Sequence, residues 1–511
     1  MRKYKYIIAA LLVTFVSFGC TSAFLDVDPT TEVPMEDYYD TEEKITKGLV
    51  SAYGPLQWPD FVFGQYAPLS FVSDVMSDDV RVGGANANDI TYLSLMRSFS
   101  ATGDYTCSSL WVVFYSGVYR ANLVINNMDN VKDISPSNKK KTLAEAHTLR
   151  AYNYYWLWKL WGNIPYYTEN QQGPDYLIDQ MNADDVYAKI IEDLDYAISD
   201  NKLPFITSAQ QKGRFTKAAA QMLKANTVMY QEDASKYSEV LTDMKEIIGS
   251  GIYSLNDNFA EIWEDAGEWS GESIFEVNYT DNPSSRTWDN PLAVGGSVYP
   301  ILIGINALKN SKFAGGYGFM PVEETLYNLY DSNDQRKNGG ILSFTKHLED
   351  YPNAEYEPRY DDTGFFNLKY LPRSNGNDKY IGDSPEINYR NNYRVFRYSE
   401  TLLKASELIV RTGGSQTEAD SYLNEVRARA YDMDINDAAF APYKKTASLD
   451  NLLQENRLEF ACEGHRFWDL VRFGKAEQVL GARGYSSNKK HLPIPQSEID
   501  QSFGTLKQNP Y

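Results

Sequence analysis

Between residues 140 and 161, aromatic side chains surround what would be a helix axis, with Tyr152, Tyr154, Tyr155, Trp156, Trp158 and Trp161 falling on no single face. A helix that is apolar all round has to be covered on more than one side. The chain must therefore wrap this segment in further elements. Helical spacing is read at 108–130, 184–199 and 217–232, and again at 398–411, Gln416–Ala430 and 449–474, with an earlier helix starting at Thr41 ahead of Glu42 and Glu43. Small residues such as Ala218 and Ala219 let a neighbouring helix approach closely. This succession of paired helices predicts a mainly α, helical-repeat scaffold, although no strict period is visible.

Two stretches break the helical pattern. Residues 57–104 and 250–392 are rich in Gly, Asn, Asp and aromatics, and within the second only 272–279 (ESIFEVNY) alternates like a strand. Long loops on a helical scaffold are usually functional or disordered, and the aromatic content argues against disorder. Residues 485–511 read as a Pro-marked coil. With 511 residues, 43% of them hydrophobic, the chain can bury a large core, as one extended domain or two to three smaller ones.

The N-terminus has the layout of a secretory signal: Arg2, Lys3 and Lys5, an apolar run, then Gly19-Cys20. A small residue directly before a cysteine at the end of such a run points to lipidation of Cys20, although Ser17 and Phe18 depart from the usual lipoprotein box. Residues 1–19 would be removed, and 20–40, with Pro29 and Pro34, would form the lipidated tether ahead of a body spanning 41–511. That removal leaves 46 basic against 69 acidic residues, a formal charge of −23, which makes nucleic acid an improbable partner. Beyond Cys20 only Cys107 and Cys462 remain, too few for a disulfide-built fold, and their pairing is left open.

Metal and catalytic signatures are weak. None of the histidines (His147, His347, His465, His491) has a second His or Cys at ligand spacing, so no metal or cofactor is expected. The segment from Asp331 starts like a calcium loop, but Arg336 replaces its turn glycine and Leu342 its final Glu. Asp74, Asp78 and Asp79 could be read as the paired carboxylates of a hydrolase, but in so acidic a chain proximity is expected by chance, and hydrogen bonding is the better reading. No catalytic residue is assigned.

The sharpest signals lie in four ordered C-terminal blocks: 392–407 (NYRVFRYSETLLKASE), 423–430 (LNEVRARA), 455–474 (ENRLEFACEGHRFWDLVRFG) and 492–511 (LPIPQSEIDQSFGTLKQNPY). Together with 149–165 (LRAYNYYWLWKLWGNIP), 215–230 (FTKAAAQMLKANTVMY) and Phe24-Leu25-Asp26 followed by Pro29, they resemble the SusD/RagB family of nutrient-binding outer-membrane lipoproteins. The resemblance implies a SusD-like single domain, tetratricopeptide-like helix pairs supporting an irregular half that holds the ligand. It also implies a lid on a SusC-like TonB-dependent β-barrel transporter, receiving oligosaccharides or, in some members, peptides. Arg457, Glu459, Glu463, Arg466, Asp469 and Arg472 are read as charge-assisted hydrogen bonds between packed helices, and Gly464 as a helix junction.

Sugars present C–H faces that pack on aromatic rings and hydroxyls that need carboxylate, amide or guanidinium partners. Two loop regions mix these types: 58–92, with Trp58, Asp78, Arg81, Asn86 and Tyr92, and 288–317, with Trp288, Tyr299 and Tyr317. Trp269, Arg390 and Tyr393 are secondary candidates. The expected function is capture of a glycan at the cell surface. The alternatives are capture of a peptide or other non-sugar nutrient and, further off, a secreted glycoside hydrolase.

Overall fold

The computed structural model describes residues 38–171, 173–208 and 211–511. The leader, Cys20 and most of the tether thus lie outside the described residues. The body already begins at Tyr39, which is buried, and at Asp40, whose carboxylate lies 2.7 Å from the Lys44 ammonium.

The principal helices are α1 (Glu42–Tyr53), α2 (Leu69–Val75), α3 (Ser108–Asn127), α4 (Pro136–Trp161), α5 (Ala183–Ile198), α6 (Lys217–Gln231), α7 (Tyr237–Gly249), α8 (Tyr398–Thr412), α9 (Gln416–Ala430), α10 (Leu449–Glu459) and α11 (Arg466–Arg472). Their starts are set by local chemistry. Thr41, Ser135, Asn182, Thr216, Ser415 and Ser448 each accept a hydrogen bond from a first-turn amide of the helix they precede, satisfying a donor that has no partner inside the helix. Gly413, at φ 69°, ends α8 in the left-handed conformation.

Neighbouring helices pack in chain order, α3 on α4, α4 on α5 and so on to α9, and α11 closes back on α2 and α6. As its sequence demands, α4 is covered on all sides: Trp161 meets Trp111 of α3 edge-on at 5.1 Å, while Trp158 meets Tyr187 of α5 and Tyr230 of α6 at 6.1 and 5.3 Å. No helix among the described residues is long and apolar enough to cross a membrane.

The irregular half contains two small antiparallel sheets: β1 (Ser273–Val277) with β4 (Tyr393–Arg397), and β2 (Ile341–Ser343) with β3 (Phe365–Asn367). Strand β1 falls within the alternating 272–279 stretch, yet all five of its residues are buried. One face stacks on the scaffold, with Phe275 lying 4.3 Å from Phe215, while Glu276 on the other face accepts from Asn392 and the Trp269 amide.

Three features depart from the sequence reading. Helix α7 was not anticipated. The stretch expected to be a loop at 57–104 contains the fully buried α2 and a further helix, Thr91–Arg97. Polar residues mask α2 because they are buried with partners far along the chain: Ser73 accepts from Trp468 Nε1 at 2.9 Å, and Asp74 accepts from the Gly464 amide at 3.1 Å. The single helix expected over 449–474 is two, α10 and α11, separated by a break with Cys462 and Gly464 at φ 61° and 82°. A Cβ at Gly464 would lie 2.8 Å from the Ser70 Cα, so the close approach of α2 requires glycine there. Cys107 and Cys462 are buried free thiols.

Where the halves meet lies a buried network of five cations and five carboxylates. Arg397 of β4 pairs with Glu272, Glu459 and Glu463, and Arg429 of α9 with Glu272 and Glu459. Arg336 pairs with Asp334, Glu455 and Glu459, Lys369 with Glu463, and Arg427 with Glu455. Burial alone would raise the Glu459 pKa, but the guanidinium groups of Arg429, Arg397 and Arg336 outweigh it and hold the carboxyl below its ordinary range.

Removing one partner of a buried pair leaves the others uncompensated, so Glu459→Ala should cost about 3–5 kcal/mol in chemical denaturation, whereas Glu43→Ala, in an exposed pair with Lys47, should leave stability nearly unchanged. Because the folded-state pKa of Glu459 is depressed, its contribution is present above the unfolded value near 4.3 and is lost as pH falls further. The difference between the two variants should accordingly shrink below about pH 4.

Candidate ligand-binding platform

Asp60 and Arg286, both buried, build the centre of the irregular half. The guanidinium donates to Asp60 at 2.7 and 3.2 Å, to Gly296 O at 2.7 Å and to Phe61 O at 3.1 Å, while Asp60 also accepts from the Val298 amide and the Ser297 hydroxyl. Burial depresses the Arg286 pKa, but the Asp60 carboxylate more than offsets this and raises it, so the guanidinium stays charged. Asn388 locks the same loops from the other side, donating to Arg286 O at 3.1 Å and accepting from the Gly296 amide at 3.1 Å. A Cβ on Gly296 would fall 2.2 Å from the Asn388 carbonyl carbon, which is why glycine stands there.

These bonds set two chain segments, 57–61 and 286–298, side by side. Phe61 and Trp288 consequently meet edge-on at 5.1 Å, and Tyr66 packs on Phe61 at 5.0 Å. Trp288 donates its indole N–H to Glu386. Tyr317 joins from a third loop held by Arg359, which donates to its carbonyl at 3.0 Å. Burial and then the neighbouring Tyr317 and Asp89 push the Tyr66 hydroxyl up to about 12, and burial followed by the Glu386 charge raises that of Tyr317. Both hydroxyls remain protonated donors at neutral pH. The result is a contiguous group of half-buried rings, Tyr66, Phe61 and Trp288, with the Glu386 carboxylate beside Trp288, and Tyr317, also half-buried, stands on the third loop. Rings of this kind offer apolar faces, and the rim offers hydrogen-bond partners.

Of the residues singled out from sequence, Trp288 and Tyr317 lie on this platform, and Asn86 lies at the exposed tip of a neighbouring loop, its side chain accepting from the Asn88 amide at 2.9 Å. The others serve the scaffold. Trp58 is buried beneath the Arg120 guanidinium, 4.9 Å away, and Tyr299 is buried, its hydroxyl accepting from Asn367 at 3.3 Å. Tyr92 is held inward and donates to Tyr66 O at 2.6 Å, so it supports the platform from below. Asp78 pairs with Arg466 and Arg457, and Arg81, though partly exposed, with Glu323.

Among the secondary candidates, Trp269 donates to Asn278, Arg390 pairs with Asp265, Asp281 and Asp378, and Tyr393 lies in β4 with its ring 6.0 Å from Tyr370. Phe61, Tyr66 and Glu386, which the fold brings onto the platform, were not among the residues singled out from sequence. Phe61 and Tyr66 fall inside the region chosen from sequence, but only the Asp60 side chain, buried beside them, marks that turn as anchored. The carboxylates of Asp74, Asp78 and Asp79 form a structural joint: Asp79, fully buried, and Asp78 share Arg457, and Asp74 caps the Gly464 amide.

Two family models match the chain: one for the SusD family over residues 345–491, and one described as starch-binding, associating with outer membrane, over residues 23–226. Among solved structures, surface glycan-binding protein A from Bacteroides thetaiotaomicron, in complex with laminarihexaose, is 41% identical, with a TM-score of 0.86 over 92% of this chain and 100% of that one. The chain belongs to the SusD family. The corresponding protein from Bacteroides fluxus is 36% identical with a TM-score of 0.83, over 92% of this chain and 99% of that one. SusD-like protein P25 of Formosa agariphila is 25% identical over 97% of both chains. The SusD-type architecture, helix pairs carrying an irregular half, is the one described above.

Asp60→Ala would leave the Arg286 guanidinium buried without its carboxylate. It should cost about 3–5 kcal/mol in denaturant unfolding, while Tyr317→Ala, on the half-exposed rim, should cost about 1 kcal/mol or less.

Proposed function

We propose that this SusD-family protein is a cell-surface glycan-binding lipoprotein, that the platform of Phe61, Tyr66, Trp288 and Tyr317 is where it holds an oligosaccharide, and that it delivers this ligand to a SusC-like TonB-dependent transporter without cleaving it. The group of half-buried rings beside a carboxylate carries the reading, because it pairs stacking faces with hydrogen-bond partners, the two requirements of a sugar ring. The relative that is 41% identical, solved with laminarihexaose, supports a glucan as the ligand class. Glu386 and Asn86 serve as hydroxyl partners at the rim.

Residues 1–19 are the signal, Cys20 carries the lipid, and the chain up to Tyr38 is the tether that holds the body at the outer membrane. Two or more acyl chains make such attachment durable, whereas one does not.

In affinity electrophoresis the protein should be retarded by laminarin and should release no reducing sugar from it. Trp288→Ala should weaken laminarihexaose binding by about 1 kcal/mol or more, roughly fivefold in Kd. Release of sugar, or binding only to peptides, would overturn the reading. Cys20→Ala should move the protein from the membrane to the soluble fraction, and continued retention would mean that the anchor lies elsewhere.

A further inference from the structure

A second concave site lies on the helical half, between α3, residues 165–170 and 176–178, and the C-terminal turn 498–506. It has a volume of about 770 Å³ and shares no lining residue with the platform. An aromatic series runs along it: Trp111 meets Tyr115 at 5.0 Å, Tyr115 meets Tyr167 at 5.9 Å, and Tyr167 meets Tyr176 at 5.8 Å, the last two edge-on.

The walls are held in place before any ligand arrives. Tyr115 donates to Pro165 O at 2.8 Å, Tyr167 to Tyr176 O at 2.7 Å, Asn122 to Tyr167 O at 3.0 Å and Asn170 to Tyr119 O at 3.2 Å. A preorganised cleft lowers the ordering cost of binding. Tyr119 and Tyr176, both in the lining, are 37% and 42% exposed and so present ring surface to a ligand.

Ser116, Glu169 and Gln501 also line the cleft, and their side chains make no hydrogen bond among the described residues. Aromatic faces together with unused hydroxyl, amide and carboxylate groups suit a polyhydroxylated ligand better than a protein surface, whose buried centre is apolar and depleted of such charge. Arg120, the one basic residue of the lining among the described residues, is turned over Trp58 and donates to Ser51, and with Glu169 and Glu498 also in the lining the cleft has no excess of positive charge for an anionic ligand. A volume of 770 Å³ is within the range of small-ligand sites.

We infer that this cleft is a second binding site for a neutral oligosaccharide, with Tyr119 and Tyr176 stacking on the sugar and Glu169 and Gln501 engaging its hydroxyls. It would let one chain grip a long glycan at two places. Only the ligand class is taken from the function proposed above.

Laminarihexaose is titrated calorimetrically into the full soluble body as wild type, as Trp288→Ala, as Tyr119→Ala/Tyr176→Ala and as the triple variant, with melting temperatures checking that each folds. The wild type should bind two molecules per chain, the double variant one, and the triple variant none, while Trp288→Ala keeps a site that the two tyrosine substitutions weaken at least fivefold. One molecule per chain in the wild type, with the double variant titrating identically, overturns the inference and leaves the platform standing. Loss of the tyrosine-dependent site alone, with Trp288→Ala binding as wild type does, supports the cleft and removes the platform instead. Absence of any binding overturns both.

Discussion

Ten buried ionised groups join the two halves of the molecule, and nearly all else in the irregular half is positioned from them. Arg397 enters from β4, Glu272 from just before β1, Arg427 and Arg429 from α9, Glu455 and Glu459 from α10, Glu463 from the break that follows it, and Asp334, Arg336 and Lys369 from the irregular half. A charge taken out of water is tolerated only when its partners are within hydrogen-bonding distance. Each of these segments therefore has one acceptable position relative to the helices. The long stretch 250–392 has little regular secondary structure of its own, yet it is docked as firmly as a helix would be.

The platform uses the same device on a smaller scale. Asp60 and Arg286 are 226 residues apart in the chain, and their bidentate pairing places Phe61 against Trp288. Tyr92, Asn388 and Arg359 then secure the backbones of Tyr66, the 284–296 loop and Tyr317. Rings fixed in this way lose little conformational freedom when a ligand stacks on them, which favours binding. The helical half carries the second cleft on the same principle, its aromatic wall tied by tyrosine and asparagine hydrogen bonds to loop carbonyls.

The scaffold was the more legible half. Thr41, Thr216 and Ser415 sit directly before helical runs, and capping chemistry is local, so helix starts can be read one residue at a time. Helix α2 was hidden because Ser73 and Asp74 look like surface residues until Trp468 and Gly464, some 390 positions away, are placed beside them. The site was half legible for a related reason. Trp288, Tyr299 and Tyr92 are indistinguishable as aromatic loop residues, yet the first lies half-buried on the platform, the second is buried in the core and the third is turned inward to hold Tyr66. Exposure is a property of the surrounding packing and leaves no mark on the residue itself.

By itself the sequence determined most of the scaffold helices, the strongly acidic net charge, and the charged motif residues Arg457, Glu459, Glu463, Arg466 and Arg472 as interior pairs, because helix capping, net charge and the cost of an unpaired buried ion follow from residue type and near neighbours. Tertiary structure alone decided which aromatics face outward, how Asp60 finds Arg286 and where α10 breaks from α11. Those outcomes depend on contacts between segments hundreds of residues apart, and on a Gly464 whose missing side chain matters only because α2 passes 2.8 Å from where it would be.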